Sequence, residues 1–149
     1  MAKLNQRQLS EIYKALNDIQ KKAEKEVSTL IAKTAFEAAD KAVSNLVTNQ
    51  SVDTGHLKNS IRAERVNKNT MAVRASADYA AYIEFGTGRE VSLRWLRKLQ
   101  IPESYARQFK GKGIKEVNIY PKPYFFPAIR YAFNNLDQRL NDLAKKLAQ

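Results

Sequence analysis

Leu9-Ser10-Glu11-Ile12-Tyr13-Lys14-Ala15-Leu16-Asn17-Asp18-Ile19 opens an apolar series that continues through Ala23, Val27, Leu30 or Ile31, Ala35, Ala38 and Ala42. Steps of three and four residues place these side chains on one stripe of a helix. Residues 1 to 54 contain neither glycine nor proline, so nothing there punctuates the helix. Unbroken over about 40 residues, it would be about 60 Å long at a rise of 1.5 Å per residue. A compact chain of this size has a radius of gyration of about 15 Å. The helix is expected to outgrow its own domain, and because its stripe stays apolar, part of it should pack on something else.

The C-terminal segment repeats the pattern more strictly. Ile129, Phe133, Leu136, Leu140, Leu143 and Leu147 alternate steps of four and three, a seam suited to pairing with another helix. Pro127 fits the first turn, where its missing N–H has no partner to lose. Lys145 and Lys146 fall in the last turn, where cations complement the helix dipole.

Between the helices the periodicity changes. Thr54 is the expected N-cap of a short helix carrying Leu57 and Ile61. Arg62–Val66 and Met71–Ser76 flank the polar turn Asn67-Lys68-Asn69 and read as a β-hairpin, with Met71, Val73 and Ala75 on its buried face. Tyr79–Phe85 reads as a helical turn or two closed by a left-handed Gly86. Ser92 is placed to cap a short helix of Leu93, Leu96 and Leu99, which Ile101-Pro102 ends. Gly111-Lys112-Gly113 is a turn, and Ile114–Tyr120 reads as a third strand.

The expected class is α+β, a small antiparallel sheet with a long N-terminal helix and a C-terminal helix packed on it. One domain over 1–149 is expected: the long helix (1–49), the short helix, hairpin and turn (50–88), a basic insert and strand (89–120), then a proline/aromatic anchor and the last helix (121–149).

The chain has 149 residues and a formal charge of +11, a balance that favours polyanionic partners. The excess is concentrated in one segment. Arg89, Arg94, Arg97, Lys98, Arg107, Lys110, Lys112 and Lys115 face only Glu90 and Glu103 in that interval. Such a run is a solvated face, or a contact for DNA phosphate or an acidic protein surface. With no cysteine, disulfides, thiolate metal sites and a cysteine nucleophile are excluded. Met1-Ala2-Lys3-Leu4-Asn5-Gln6-Arg7 lacks the apolar core of a signal peptide, and no apolar run is long enough to span a bilayer. A cytoplasmic product without membrane partners is the expectation.

Three motifs stand out in order: Val52-Asp53-Thr54-Gly55-His56-Leu57-Lys58-Asn59-Ser60-Ile61, Tyr79-Ala80-Ala81-Tyr82-Ile83-Glu84-Phe85-Gly86-Thr87-Gly88, and Pro121-Lys122-Pro123-Tyr124-Phe125-Phe126-Pro127-Ala128-Ile129. Asp53-Thr54-Gly55 matches the aspartic-protease triplet, but polar Thr48-Asn49-Gln50-Ser51 precedes it instead of an apolar strand, so it reads as a helix cap. His56, the one histidine, reads as a surface residue in the first turn of that helix. Gly86-Thr87-Gly88 and Lys110-Gly111-Lys112-Gly113 lack the spacing of nucleotide loops and read as turns.

Glu84 sits in an apolar stretch. It suits a general base, or more simply a carboxylate paired with an arginine or capping a backbone group. Tyr120, Tyr124, Phe125 and Phe126, bracketed by prolines, suit base stacking or a packing anchor. The prolines are expected to hold this stretch extended, so that one of Phe125 and Phe126 enters the core and the other faces a neighbouring subunit or the surface. No nucleophile, base and oxyanion donor converge, so no enzyme, cofactor or metal is expected.

In this order the motifs resemble the neck or tail-completion proteins of tailed bacteriophages, over roughly residues 50 to 135. The likeness rests on Asp53, Thr54, Gly55, Leu57, Ser60 and Ile61; on Tyr79, Ala80, Tyr82, Glu84, Phe85, Gly86 and Thr87; and on Pro123, Phe125, Pro127 and Ala128. It implies a small sheet, a long helix and a ring, commonly of six copies, in the virion neck. The implied neighbours are head-closure or connector and tail-terminator or tail-tube proteins, with DNA in or near the channel. The stretch from Arg89 to Val117 is longer than that family leads one to expect. A basic nucleic-acid-binding protein is the alternative; it explains the charge but not the ordered motifs, and no helix-turn-helix or RNA-binding signature supports it.

Overall fold

Asn5 starts the first helix. Its Oδ1 accepts the Gln8 amide at 2.8 Å, while its own N–H donates to Gln8 Oε1 at 3.0 Å, a reciprocal cap. Helix α1 then runs from Gln6–Thr48, 43 residues, as the uninterrupted stripe predicts. The computed structural model describes residues 5–51, 55–87, 97–98, 104 and 119–148. Only the second half of α1 enters the core, through Thr34, Ala35, Ala38, Ala39, Ala42 and Leu46. Residues 6 to 22 are exposed throughout.

Helix α2, His56–Ser60, begins on Gly55 at φ 75°, without a side-chain cap. The cap position is thus Gly55 rather than Thr54, and Asp53 and Thr54 lie outside the described residues. Strands β1 (Ile61–Asn67) and β2 (Thr70–Ala75) form the antiparallel hairpin, with Ile61 opposite Ala75 and Ala63 opposite Val73. These four face the core, while Arg74 meets Glu64 on the outer face at 2.5 Å. The turn is tied to α1: Ser28 Oγ donates to the Lys68 carbonyl at 2.7 Å, and Lys68 pairs with Glu24 at 3.1 Å.

Helix α3 spans Ala80–Phe85 and ends on Gly86. Gly86 has the expected positive φ, 77°, but its ψ of −177° is extended rather than left-handed helical. The cap and strand expected around Ser92 and Ile114 lie outside the described residues; Ile119 and Tyr120 belong to neither strand of the described sheet.

Helix α4, Phe125–Leu147, runs back along α1. Asn45 bonds the Tyr124 carbonyl at one end of the pair, Glu37 takes Asn135 and Arg139 in the middle, and Glu26 meets Lys146 at the other end. The buried face of α4 differs from the expected seam. Ala128, Ala132 and Leu143 are buried, whereas Phe133 is 61% exposed. Small side chains let the α4 backbone approach the alanine face of α1; Ile129, Phe133 and Leu136 turn aside and line an apolar groove with Ile31, Met71 and Val73. The core joins Ala39, Ala42, Leu46, Leu57, Ile61, Ala77, Ala80, Tyr124 and Ala128. This is an α+β fold with both long helices packed together beside a two-stranded sheet.

Candidate functional site

The second and third motifs interlock at the start of α4. A helix N-terminus leaves its first amides without intrahelical acceptors, and Tyr124, at the N-cap position, supplies no side-chain acceptor of its own. Glu84 of α3 supplies one from across the fold. Its Oε2 accepts the Tyr124 and Phe125 amides at 2.7 and 2.8 Å, and Oε1 accepts the Phe126 amide at 3.1 Å. The carboxylate also lies at the positive end of the helix dipole. It is 4% exposed, and burial pushes its carboxyl above the ordinary range although the three amides pull the other way. Of the roles the sequence allows Glu84, backbone capping is the one observed: the three amides occupy both oxygens.

The neighbouring positions close the joint. Gly86 N–H returns to Tyr82 O, ending α3. A Cβ on Gly86 would lie 2.6 Å from Ile119 O and 3.0 Å from Pro121, so both its φ and its surroundings require glycine. Thr87 grips Ile119 twice, its N–H donating to the Ile119 carbonyl at 3.0 Å and its Oγ1 accepting the Ile119 amide at 2.8 Å. Lys122 N–H donates to Ile83 O at 2.8 Å. From α1, the Asn45 and Asn49 amides hold the carbonyls of Tyr124 and Pro123, each at 2.9 Å.

The aromatic anchor differs from expectation. Tyr124, 1% exposed, fills the core, and burial holds its phenol above the ordinary value. Phe125 and Phe126 lie in the first helical turn, both half-buried, because the helix starts before Pro127 rather than after an extended run. Phe126 packs on Phe85 with centroids 5.8 Å apart. Pro127 occupies the first turn as expected.

The first motif joins the same core. Leu57 and Ile61 are buried, and Ser60 ties the motif to the end of the hairpin: its carbonyl accepts the Ser76 amide and its Oγ accepts the Ala77 amide. His56 is exposed, edge-on to Tyr79. Of the basic run, Arg97 and Lys98 are exposed helical residues, and the Lys98 carbonyl accepts from Arg130. Arg89, Arg94, Arg107, Lys110, Lys112 and Lys115 lie outside the described residues.

Sequence reasoning placed Tyr124 in a packing anchor, where it lies, but missed Asn45 and Asn49 as parts of the joint. The asparagines had a signal, since they stand four apart at the end of the first helix and so share one of its faces. It also missed Glu37, which takes Asn135 and Arg139 at 2.6 Å each. Among the described residues no cluster of three or more histidine, cysteine or acidic side chains could hold a metal, and no helix is long and apolar enough to cross a membrane.

These features define a class. Among the described residues the motif side chains hold one another, and apolar surface is left over on the outer half of α1, as suits a structural protein. Residues 10–86, just over half of the chain, match the family described as "Bacteriophage HK97-gp10, putative tail-component", and the chain belongs to that family. It is a structural tail protein of a bacteriophage particle. No curated protein and no solved structure matches the chain.

Proposed function

We propose that the protein completes the phage tail at the neck, as a ring of about six copies between the head connector and the tail tube or its terminator. Family membership supports the tail. The observation that carries the ring reading is the outer half of α1, where Leu9, Ile12, Tyr13, Leu16 and Ile19 are 39–67% exposed. A face of that kind marks a protein contact. The ring is built in the host cytoplasm, with DNA in or near its channel.

Electron microscopy of tails from a phage lacking the protein, before and after adding it back, tests this. Density restored as a ring at the head-proximal tail end, with recovery of head joining, is the expected result. Density along the tail shaft or at the distal tip overturns it.

A further inference from the structure

We infer that Leu9 to Ala23 of α1 form the seam of a parallel helical bundle with other copies of this chain. The copies' parallel sense rests on the ring reading, since a cyclic ring points every copy the same way along its axis; the seam itself does not.

The register is legible residue by residue. Leu9, Ile12, Leu16, Ile19 and Ala23 alternate steps of three and four, which is a heptad with Leu9, Leu16 and Ala23 at a and Ile12 and Ile19 at d. The flanking e and g positions from Gln8 to Gln20 are Gln8, Tyr13, Ala15 and Gln20, all uncharged. From Arg7 to Lys22 the charges are Arg7, Glu11, Lys14, Asp18 and Lys21 on c and f, with Lys22 on g, at the Ala23 end, the one charge that flanks the seam. A chain of charge +11 would repel its copies through most faces, yet this face carries no charge from Gln8 to Gln20. A partner of different chemistry, such as an acidic surface, would find nothing to pair with along it.

The pattern stops where the chain supplies its own partner. The next d position is Glu26, and Lys146 near the end of α4 reaches Glu26 at 3.9 Å. Beyond it the apolar series drifts by a step of four, Ala23 to Val27, and becomes the face that meets α4. One helix thus carries two seams, the inner filled by α4 and the outer open. A seam of two heptads is short for free peptides, because isolated helices under about 12–15 residues are marginal. Here the helix is already formed, capped by Asn5 and anchored in the core, so association does not bear the nucleation cost.

The chain has no cysteine, which makes disulfide trapping clean. The full-length protein is purified without tails. Its mass is followed from micromolar to millimolar, and Leu16→Cys and Lys14→Cys are oxidised separately. We expect wild type to grow to a multiple of 17.0 kDa, and Leu16→Cys to cross-link with itself at least about tenfold more than the outward-facing Lys14→Cys. The double variant Leu16→Ser/Ile19→Ser should be monomeric, and its melt should match that of wild type at dilutions where wild type is itself monomeric, since both residues are exposed in the single chain.

A wild type that stays monomeric to millimolar without a Leu16→Cys disulfide overturns the inference. So do equal yields at the two positions, or a disulfide found only when Ile12→Cys and Leu16→Cys are mixed, which is the antiparallel signature. Failure here leaves the neck assignment, read on tails, untouched; failure on tails leaves the seam untouched.

Discussion

At the scale of single residues, Glu84 and Gly86 concentrate the energetics of the joint. Glu84→Ala leaves three amides at the α4 N-terminus without their acceptor. It should cost about 2–3 kcal/mol, read as a lowered midpoint in urea. Glu84→Gln should cost less, because one carbonyl oxygen can still accept while its NH2 faces donors. The pH dependence has a definite sign. Burial raises the folded-state pKa of Glu84 above the ordinary 4.5, so its contribution is fully present below that value. The contribution declines as pH rises through the folded-state pKa. Wild-type stability minus that of Glu84→Gln should therefore be largest in acid and shrink upward; a difference that grows with pH would show the amide bonds outweighing burial. Gly86→Ala should cost about 1–3 kcal/mol for the backbone alone, with the approach to Ile119 O added.

At the scale of elements, the α1–α4 pair explains what was legible in the sequence and what was not. The length of α1, the hairpin and its turn, and the start of α4 near Pro127 follow from local signals: no breaker, period-two alternation, proline at a first turn. The face of α4 did not follow, because the larger residues Ile129 and Phe133 marked a strong stripe while the contact uses Ala128 and Ala132. Periodicity reports which residues are apolar, not which neighbour lies close enough to need a small one. Glu84 was legible as a buried carboxylate, but its partners lie some 40 positions away in sequence. The Glu37 clamp was illegible for the same reason, and it gives a test of opposite sign. Its hydrogen bond to Arg139 leads the effects holding its carboxyl below 4.5, so its contribution is present above pH 4.5 and lost as pH falls through the lower folded-state value. Wild type should lose stability relative to Glu37→Gln only below pH 4.5. A double-mutant cycle with Arg139→Gln should give about 1 kcal/mol of coupling, since both side chains are about a quarter exposed.

For the whole molecule, the charge of +11 asks for a partner that the joint and the core do not provide. Among the described residues the core is closed by apolar side chains and the motif residues hold one another, so the proposals place recognition on the surface: the seam of α1 for other copies, and the basic run for something negative. We propose that the run from Arg89 to Lys115 contacts DNA phosphate in the neck channel. Phosphate contact needs lysine and arginine at flexible spacing and reads no sequence, which suits a tail through which any stretch of the genome passes. Binding should then fall steeply with salt, because each neutralised phosphate releases counterions. Replacing Arg94, Arg97, Lys98 and Lys110 by Gln should weaken duplex binding uniformly across sequences. It should also flatten the slope of log K against log salt by about 0.9 for each phosphate that is no longer neutralised. Fluorescence anisotropy with two unrelated duplexes at several salt concentrations reads both quantities. A wild-type protein without salt-sensitive DNA binding, whose quadruple variant nonetheless fails to restore head joining, would assign the segment to an acidic protein neighbour. That outcome would leave the charge with the same physical role, an electrostatic clamp, but on the ring's neighbour instead of its cargo.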